Sequence, residues 1–371
     1  MTPERPLKIA LYTGKGASHS WIWFVDTLRS HGIITIEFIT DVRDIAADVL
    51  VVSGGDPFAL FSHIGREGVS RMRSFVEKGG TYIGICAGTY FALKFHDDPY
   101  PWLNLVRGEI SNFAVEPPPN IRMPHKYLVR YRDGYVFHPV REAITLNYNG
   151  AIIQAPLYGG PGILSADAES QASYTNFTPK TMFLCEKEAA TQALLGKKAL
   201  VTKKVSRGCL YLFGPHFEHP YFPEANRELV TLLSRIPPRG YHLELTGSPI
   251  TGTEKRTWVK DVKRWISNGR LAALGLQNFQ WKIGEKMYDP ERLAYFFQAC
   301  FTLVAFLESQ QSIRAIPDIP NRAQTLALQV RKLGPDANEA EIILEGIKTL
   351  TSDLYSLAFS TLQQPLPPQR P

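Results

Sequence analysis

The chain has 371 residues, 44% of them hydrophobic and 20% charged, the balance of a soluble globular protein large enough for two or three domains. Forty-one basic against 35 acidic side chains leave a net charge of +6, an excess too small at this length to point to nucleic acid. The longest apolar run, Leu293 to Leu307, is interrupted by Gln298 and is shorter than the roughly 20 residues a bilayer span requires, so it reads as a core helix and no membrane is expected.

In chain order, Leu7 to Tyr12 reads as a first strand, followed by a glycine-containing loop and an amphipathic helix from Trp21 to His31. The loop lacks the third glycine of a phosphate-binding fingerprint, because His19 stands there. Ile33 to Ile39 and Asp48 to Ser53 are further strands, the latter closed by Gly54-Gly55-Asp56-Pro57. A helix over Arg66 to Lys78 ends at Gly79, and Thr81 to Ile85 is a buried strand. Strands alternating with helices imply an α/β fold, a mostly parallel sheet flanked by helices.

Asp97 to Pro124, rich in proline and aromatics, reads as a surface excursion. Two hairpins are predicted next, Tyr127 to His138 turning at Asp133-Gly134, and Ala143 to Ala155 turning at Asn149-Gly150. Tyr158-Gly159-Gly160-Pro161-Gly162 is a tight loop, its glycines serving either as turn residues or as points where backbone approaches a ligand. Strands at Thr181 to Cys185, Ala199 to Lys204 and Cys209 to Phe213 lead to His216-Phe217-Glu218-His219, and a helix follows from Glu224 to Ser234.

Pro237-Pro238 and the Gly/Ser/Thr-rich stretch to Thr253 mark a boundary. The expected organisation is an α/β domain over 1–245, a linker over 246–256, an all-helical domain over 257–362 and a disordered Pro-rich tail over 363–371. In the helical part, Lys255, Arg256, Lys260, Lys263 and Arg264 form a basic cluster that reads as a solvated helix face. The four cysteines, Cys86, Cys185, Cys209 and Cys300, fit neither a disulfide framework nor a zinc site. Reduced thiols in the cytoplasm, with no metal and no cofactor, are the simplest expectation. The first residues, Met1 to Pro6, contain no apolar signal region.

The chemistry concentrates at Gly84-Ile85-Cys86-Ala87-Gly88. A strand, a sharp turn and a helix place a thiol on the turn, and a strained turn of this kind needs small neighbours. The helix behind it directs free N–H groups at the sulfur, which favours thiolate. A lone cysteine between packing glycines is the bland alternative. A catalytic thiol also needs a base and a group to orient that base. His216 at the end of a strand, with Glu218 two residues on and on the same side of an extended segment, supplies both, while His219 faces the other way.

These motifs, Gly84 to Gly88 followed by Thr89-Tyr90, with His216-Phe217-Glu218, Val51 to Gly55 and Gly79-Gly80, resemble the class I glutamine amidotransferase fold. The nearer likeness is to its offshoot, the biotin-protein ligase N-terminal domain, over roughly residues 7 to 236. The resemblance implies a flavodoxin-like sheet, Cys86 as nucleophile, His216 as base and then acid, Glu218 as its orienter, and an oxyanion hole from the backbone N–H groups of Gly55 and Ala87. Gly54, Tyr90, Tyr158, Gly159 and Gly160 complete the candidate substrate pocket. Tyr90 stands where amidotransferases carry glutamine, and Phe217 where proline is common. No Gly-Arg-Gly-Arg adenylate-binding motif is present, Gly269-Arg270 being a fragment of one, so biotin ligation is not expected.

The expected function is therefore amidotransferase-like hydrolysis of a small-molecule or peptide amide through a thioester. The alternative is a non-catalytic binding or regulatory module with the helical part docking a protein partner. A redox sensor at Cys86 is a third reading.

Overall fold

In the computed structural model, residues 6–43, 45–94 and 102–363 are described. All but Gln363 of the expected tail over 363–371, and residues 97–101 of the expected excursion, lie outside them. The chain divides into two compact units, Met1–Ile33 with Ile39–Tyr241, and Ile34–Phe38 with His242–Pro371. Residues 246–256 hold a short strand and the start of a long helix.

The first unit begins β1 (Ile9–Tyr12), α1 (Ser20–Ser30), β2 (Ile36–Ile39, split between the two units), β3 (Val49–Val52), α2 (Pro57–Glu77), β4 (Thr81–Ile85), α3 (Ala87–Ala92). Every residue of β1, β3 and β4 is buried, as their unbroken apolar runs require of strands covered on both faces. They pair in parallel, β3 between β1 and β4, with Val51 opposite Ile83. Asp56 caps α2, its carboxylate accepting from the N–H groups of Phe58 (3.0 Å) and Ala59 (3.3 Å), with Pro57 at the first helical position. The helix expected from Arg66 is the second half of α2, which is broken at Gly65, where φ is 65°.

The expectation of a mostly parallel sheet is corrected: the sheet is mixed. Beyond α3 come β5 (Ala143–Tyr148), β6 (Ala151–Pro156), β7 (Glu169–Phe177), β8 (Lys198–Val205) and β9 (Gly208–Phe213), then α4 (Pro223–Ser234). The order across the sheet is β6-β5-β7-β8-β9-β4-β3-β1. β6, β5, β7, β8 and β9 run antiparallel to one another, and β9 joins β4 in parallel. The cause is connection length. Asn149-Gly150, both at positive φ, and Ser206-Arg207 make two-residue turns, which join only antiparallel strands. The predicted hairpin over 127–138 forms from Leu128–Tyr131 and Gly134–Phe137, but turns at Arg132-Asp133, one residue early, with Arg132 at φ 53°.

The second unit is built on α5 (Gly252–Leu274), α6 (Pro290–Ser309), α7 (Ile319–Lys332) and α8 (Ala337–Leu362). It is not all-helical: two ribbons accompany the helices, β10 (Ser248–Ile250) with β13 (Ile313–Ala315), and β11 (Trp281–Ile283) with β12 (Lys286–Tyr288). On α6, Leu293, Phe296, Phe297, Cys300, Leu303, Val304 and Leu307 recur at helical spacing and are buried. Part of the basic cluster has a structural use. Lys255 Nζ donates to the carbonyls of Glu308 and Gln310, and Lys263 pairs with Glu308 (2.6 Å), so both cations serve the C-terminal end of α6. No described helix is long and apolar enough to cross a membrane.

Candidate functional site

Cys86 sits between β4 and α3 with φ 52° and ψ −102°, a region non-glycine residues rarely occupy. The turn is held from both sides. The Cys86 N–H donates to the carbonyl of Phe213 at the end of β9 (2.8 Å), and the Thr89 hydroxyl lies within hydrogen-bonding distance of Gly84 O (2.9 Å) and Phe213 O (2.7 Å). The need for small flanks is visible at Gly88, where a Cβ would land on the carbonyl oxygen of Val52 in β3.

The same strand β9 delivers His216. Its position beside the elbow follows from the parallel pairing of β9 with β4, which sets Phe213 opposite Ile85. His216 and Glu218 are both buried, and His216 Nδ1 lies 2.7 Å from Glu218 Oε1. The segment is a turn rather than the extended strand expected: the His219 N–H donates to His216 O (3.2 Å). Asn226 of α4 fastens the turn through Nδ2 to the carbonyls of Phe217 (2.7 Å) and His219 (3.0 Å). Phe217, in place of proline, is a buried anchor, its ring 5.1 Å from Phe213. Burial opposes a charge on His216, but the Glu218 carboxylate and the hydrogen bonds with Cys86 and Glu218 outweigh it and raise the imidazole to about 10.

Gly54 meets the imidazole directly, since a Cβ there would stand 2.8 Å from His216 Cε1. Gly55 faces Ala17 across a bridge closed by Ser18 N–H to Gly54 O (2.8 Å) and Asp56 N–H to Gly16 O (2.8 Å). Among the described residues neither the Gly55 nor the Ala87 N–H donates within the fold, so both remain available as donors.

The Tyr158 to Gly160 loop closes over the sulfur. Cys86 Sγ is 3.9 Å from the Tyr158 carbonyl, and the Tyr90 hydroxyl donates to Gly159 O (2.9 Å). Asn112, fully buried, donates to that same hydroxyl (2.7 Å) and to Phe137 O (2.8 Å). Burial pushes the Tyr90 phenol well above its ordinary value. Gly159 has φ 92°, and a Cβ on Gly160 would strike the backbone of Gly214, so the close approach these glycines permit is to the chain itself.

Sequence reasoning missed the aromatic wall. Trp23 on α1 packs edge-on against His216 (5.6 Å between ring centroids) and against His219 (4.4 Å), and lies 5.7 Å from Tyr158. His219 thus shares the cluster rather than facing away; burial and the nearby His216 charge lower it to about 4. Arg141 and Glu142 also touch Tyr158 and were not anticipated: the guanidinium lies over the ring at 4.8 Å, and the Tyr158 hydroxyl donates to Glu142 Oε2 (3.1 Å). No motif announces these residues, which meet only through the sheet. Among the described residues no group of three or more His, Cys, Asp or Glu side chains could hold a metal.

Among solved structures, PurLQS from Thermotoga maritima aligns at 13% identity over 62% of this chain and 99% of its own (TM-score 0.40). A cytoplasmic protein from Salmonella typhimurium aligns at 14% identity over 63% of this chain and 100% of its own (TM-score 0.39). The GH42 β-galactosidase Gan42B from G. stearothermophilus aligns at 14% identity over 61% of this chain (TM-score 0.37), and the alignment spans only 30% of that enzyme. None of the curated proteins matches the sequence. The family model described as "Biotin-protein ligase, N terminal" matches residues 9–97, from β1 through the Cys86 elbow, and over that stretch the chain carries the N-terminal domain resemblance expected of it.

Proposed function

We propose that this protein is a cysteine-dependent acyl-transfer enzyme that cleaves an amide through a thioester on Cys86. The observation that carries the reading is His216 held by Glu218 at 2.7 Å, with Cys86 among the groups that raise its imidazole. With Nδ1 taken by Glu218, Nε2 is the nitrogen left for the thiol. A histidine raised to about 10 carries its proton at neutral pH, and an imidazolium beside a thiol favours the thiolate.

The sulfur attacks the amide carbon, and the oxyanion is received by the N–H groups of Gly55 and Ala87. Collapse breaks the C–N bond, and His216 gives its proton to the departing amine. A water then loses a proton to His216 as its oxygen attacks the thioester, releasing the acid and restoring the thiolate–imidazolium pair. Glu218 keeps the imidazole oriented throughout. None of the four cysteines forms a disulfide, which suits a reducing compartment, so a cytoplasmic location belongs to this reading.

The test is the rate at which iodoacetamide labels each cysteine, resolved by peptide mass spectrometry. Cys86 should react faster than the half-exposed Cys209, and His216→Gln should remove the advantage. Equal rates in the wild type would reject the enzyme reading. A second reading, a ligand-binding module with the helical unit docking a protein partner, is favoured by Tyr90, whose hydroxyl is committed to Gly159 and Asn112 at the position where amidotransferases carry glutamine. Ordinary Cys86 reactivity together with a stable complex in pull-downs would select it.

A further inference from the structure

Arg141 lies one tyrosine away from the reactive pair. Its guanidinium is 4.8 Å from the ring of Tyr158 and 5.6 Å from the ring of Tyr127, held by two aromatic faces. Tyr158 is the residue whose carbonyl meets Cys86 Sγ at 3.9 Å and whose ring stands 5.7 Å from that of His216. Arg141 is half-buried. Among the described residues no carboxylate pairs with it, and no acceptor takes a hydrogen bond from its side chain.

The carboxylate nearest in the chain is diverted. Glu142 takes φ 68°, and its Oε2 accepts from the Tyr158 hydroxyl at 3.1 Å. The positive φ turns residue 142 out of the extended path of its neighbours, so the acid serves the phenol and not the guanidinium. A planar cation fixed by stacking, with its N–H fork unspent, matches the geometry of an incoming carboxylate.

Resting on the amide-cleaving reading above, we infer that Arg141 selects substrates bearing a carboxylate, so that the scissile group is the amide of an anionic acyl compound, such as the monoamide of a dicarboxylic acid. The carboxylate pairs with Arg141 beside Tyr158 while the amide carbonyl reaches Cys86. Arg141 acts in specificity and takes no part in the chemistry.

The test uses two alkylating probes of equal length, 4-chloroacetamidobutanoate and its neutral carboxamide, on the full chain. Labelling of Cys86 is followed by mass spectrometry. The carboxylate probe should label Cys86 about tenfold faster than the neutral one, the factor expected of one charge-assisted hydrogen bond. Arg141→Gln should bring the ratio to about one, and Arg141→Lys should retain part of it. The same preference is read without any reaction at sulfur by thermal shift of Cys86→Ala with glutaramate against glutaramide. Stabilisation by glutaramate alone, lost on adding Arg141→Gln, supports the assignment even if Cys86 proves unreactive and the catalytic reading fails. No carboxylate preference in either measurement, or one that survives Arg141→Gln, overturns it.

Discussion

Cys86 and Cys300 carry the same thiol in surroundings that differ in nearly every respect. Cys300 lies inside α6, fully buried, with the Thr351 hydroxyl 3.2 Å away, and burial pushes its thiol up to about 12. Cys86 sits at a strained turn between a strand and a helix, beside a histidine backed by a carboxylate. The helix around Cys300 satisfies its own backbone and leaves the sulfur to act as a small hydrophobe. The elbow holds an unfavourable φ and buried polar groups that the neighbouring strands must fix in place. The reactivity proposed for Cys86 is a property of the turn and its neighbours rather than of the side chain.

The sharpest way to break this contrast is to remove the sulfur or its partner. Cys86→Ala should reduce amide turnover by on the order of 10⁴-fold or more, the scale seen when a covalent nucleophile is lost. The measurement is turnover of the best amide found, at unchanged thermal midpoint. Alkylation sharpens it: at pH 8 only on the order of 10⁻⁴ of Cys300 is thiolate when its thiol is pushed up to about 12, so Cys300 should stay unlabelled while Cys86 reacts.

The backbone makes the next contrast. Gly88→Ala drives a methyl into the Val52 carbonyl and should cost about 3 kcal/mol in urea unfolding, at the upper end of overpacking effects. Gly334, just ahead of α8, has nothing within 4 Å of its missing Cβ, and Gly334→Ala should change stability by less than about 0.5 kcal/mol. Equal costs at the two positions would show that the elbow is not tightly packed.

The pH dependence is smaller and has a definite sign. His216 is raised from 6.5 to about 10 in the folded chain, chiefly against the opposing effect of burial, by Glu218 and Cys86. Its stabilisation is therefore fully present below pH 6.5 and is lost as pH rises through about 10. The thermal midpoint of the wild type should exceed that of Glu218→Gln most at pH 6, with the gap narrowing toward pH 10. A gap that widens with pH would contradict the assigned direction.

Much of the site was legible because it is written locally. Gly84, Cys86 and Gly88 announce a turn whose flanks must be small, and the apolar run before them announces a strand buried on both faces. His216 and Glu218 were also readable as a pair, although the reason differs, since a turn fastened by Asn226 brings them together rather than an extended strand. What could not be read depends on pairing across the sheet. Whether β9 runs with or against β8 is decided by the Ser206-Arg207 turn, and the alternation of apolar residues in both strands is the same either way. Trp23, Asn112 and Arg141 reach the site from three separate segments, none of which carries a signal of its own. Gly65 hid the first half of α2, because a single glycine ends a helix pattern as readily as it breaks one.

The adjacency of β4 and β9 has a consequence for the chain's connectivity. The chain leaves β4 at Cys86, adds β5, β6, β7 and β8 to the same sheet, and enters the neighbouring β9 just before His216, so a long excursion in sequence separates two strands that pair directly. New termini opened at Asn149-Gly150, an exposed two-residue turn within that excursion, would sever no strand and separate neither partner from its support. A backbone cut there should leave the pair assembled.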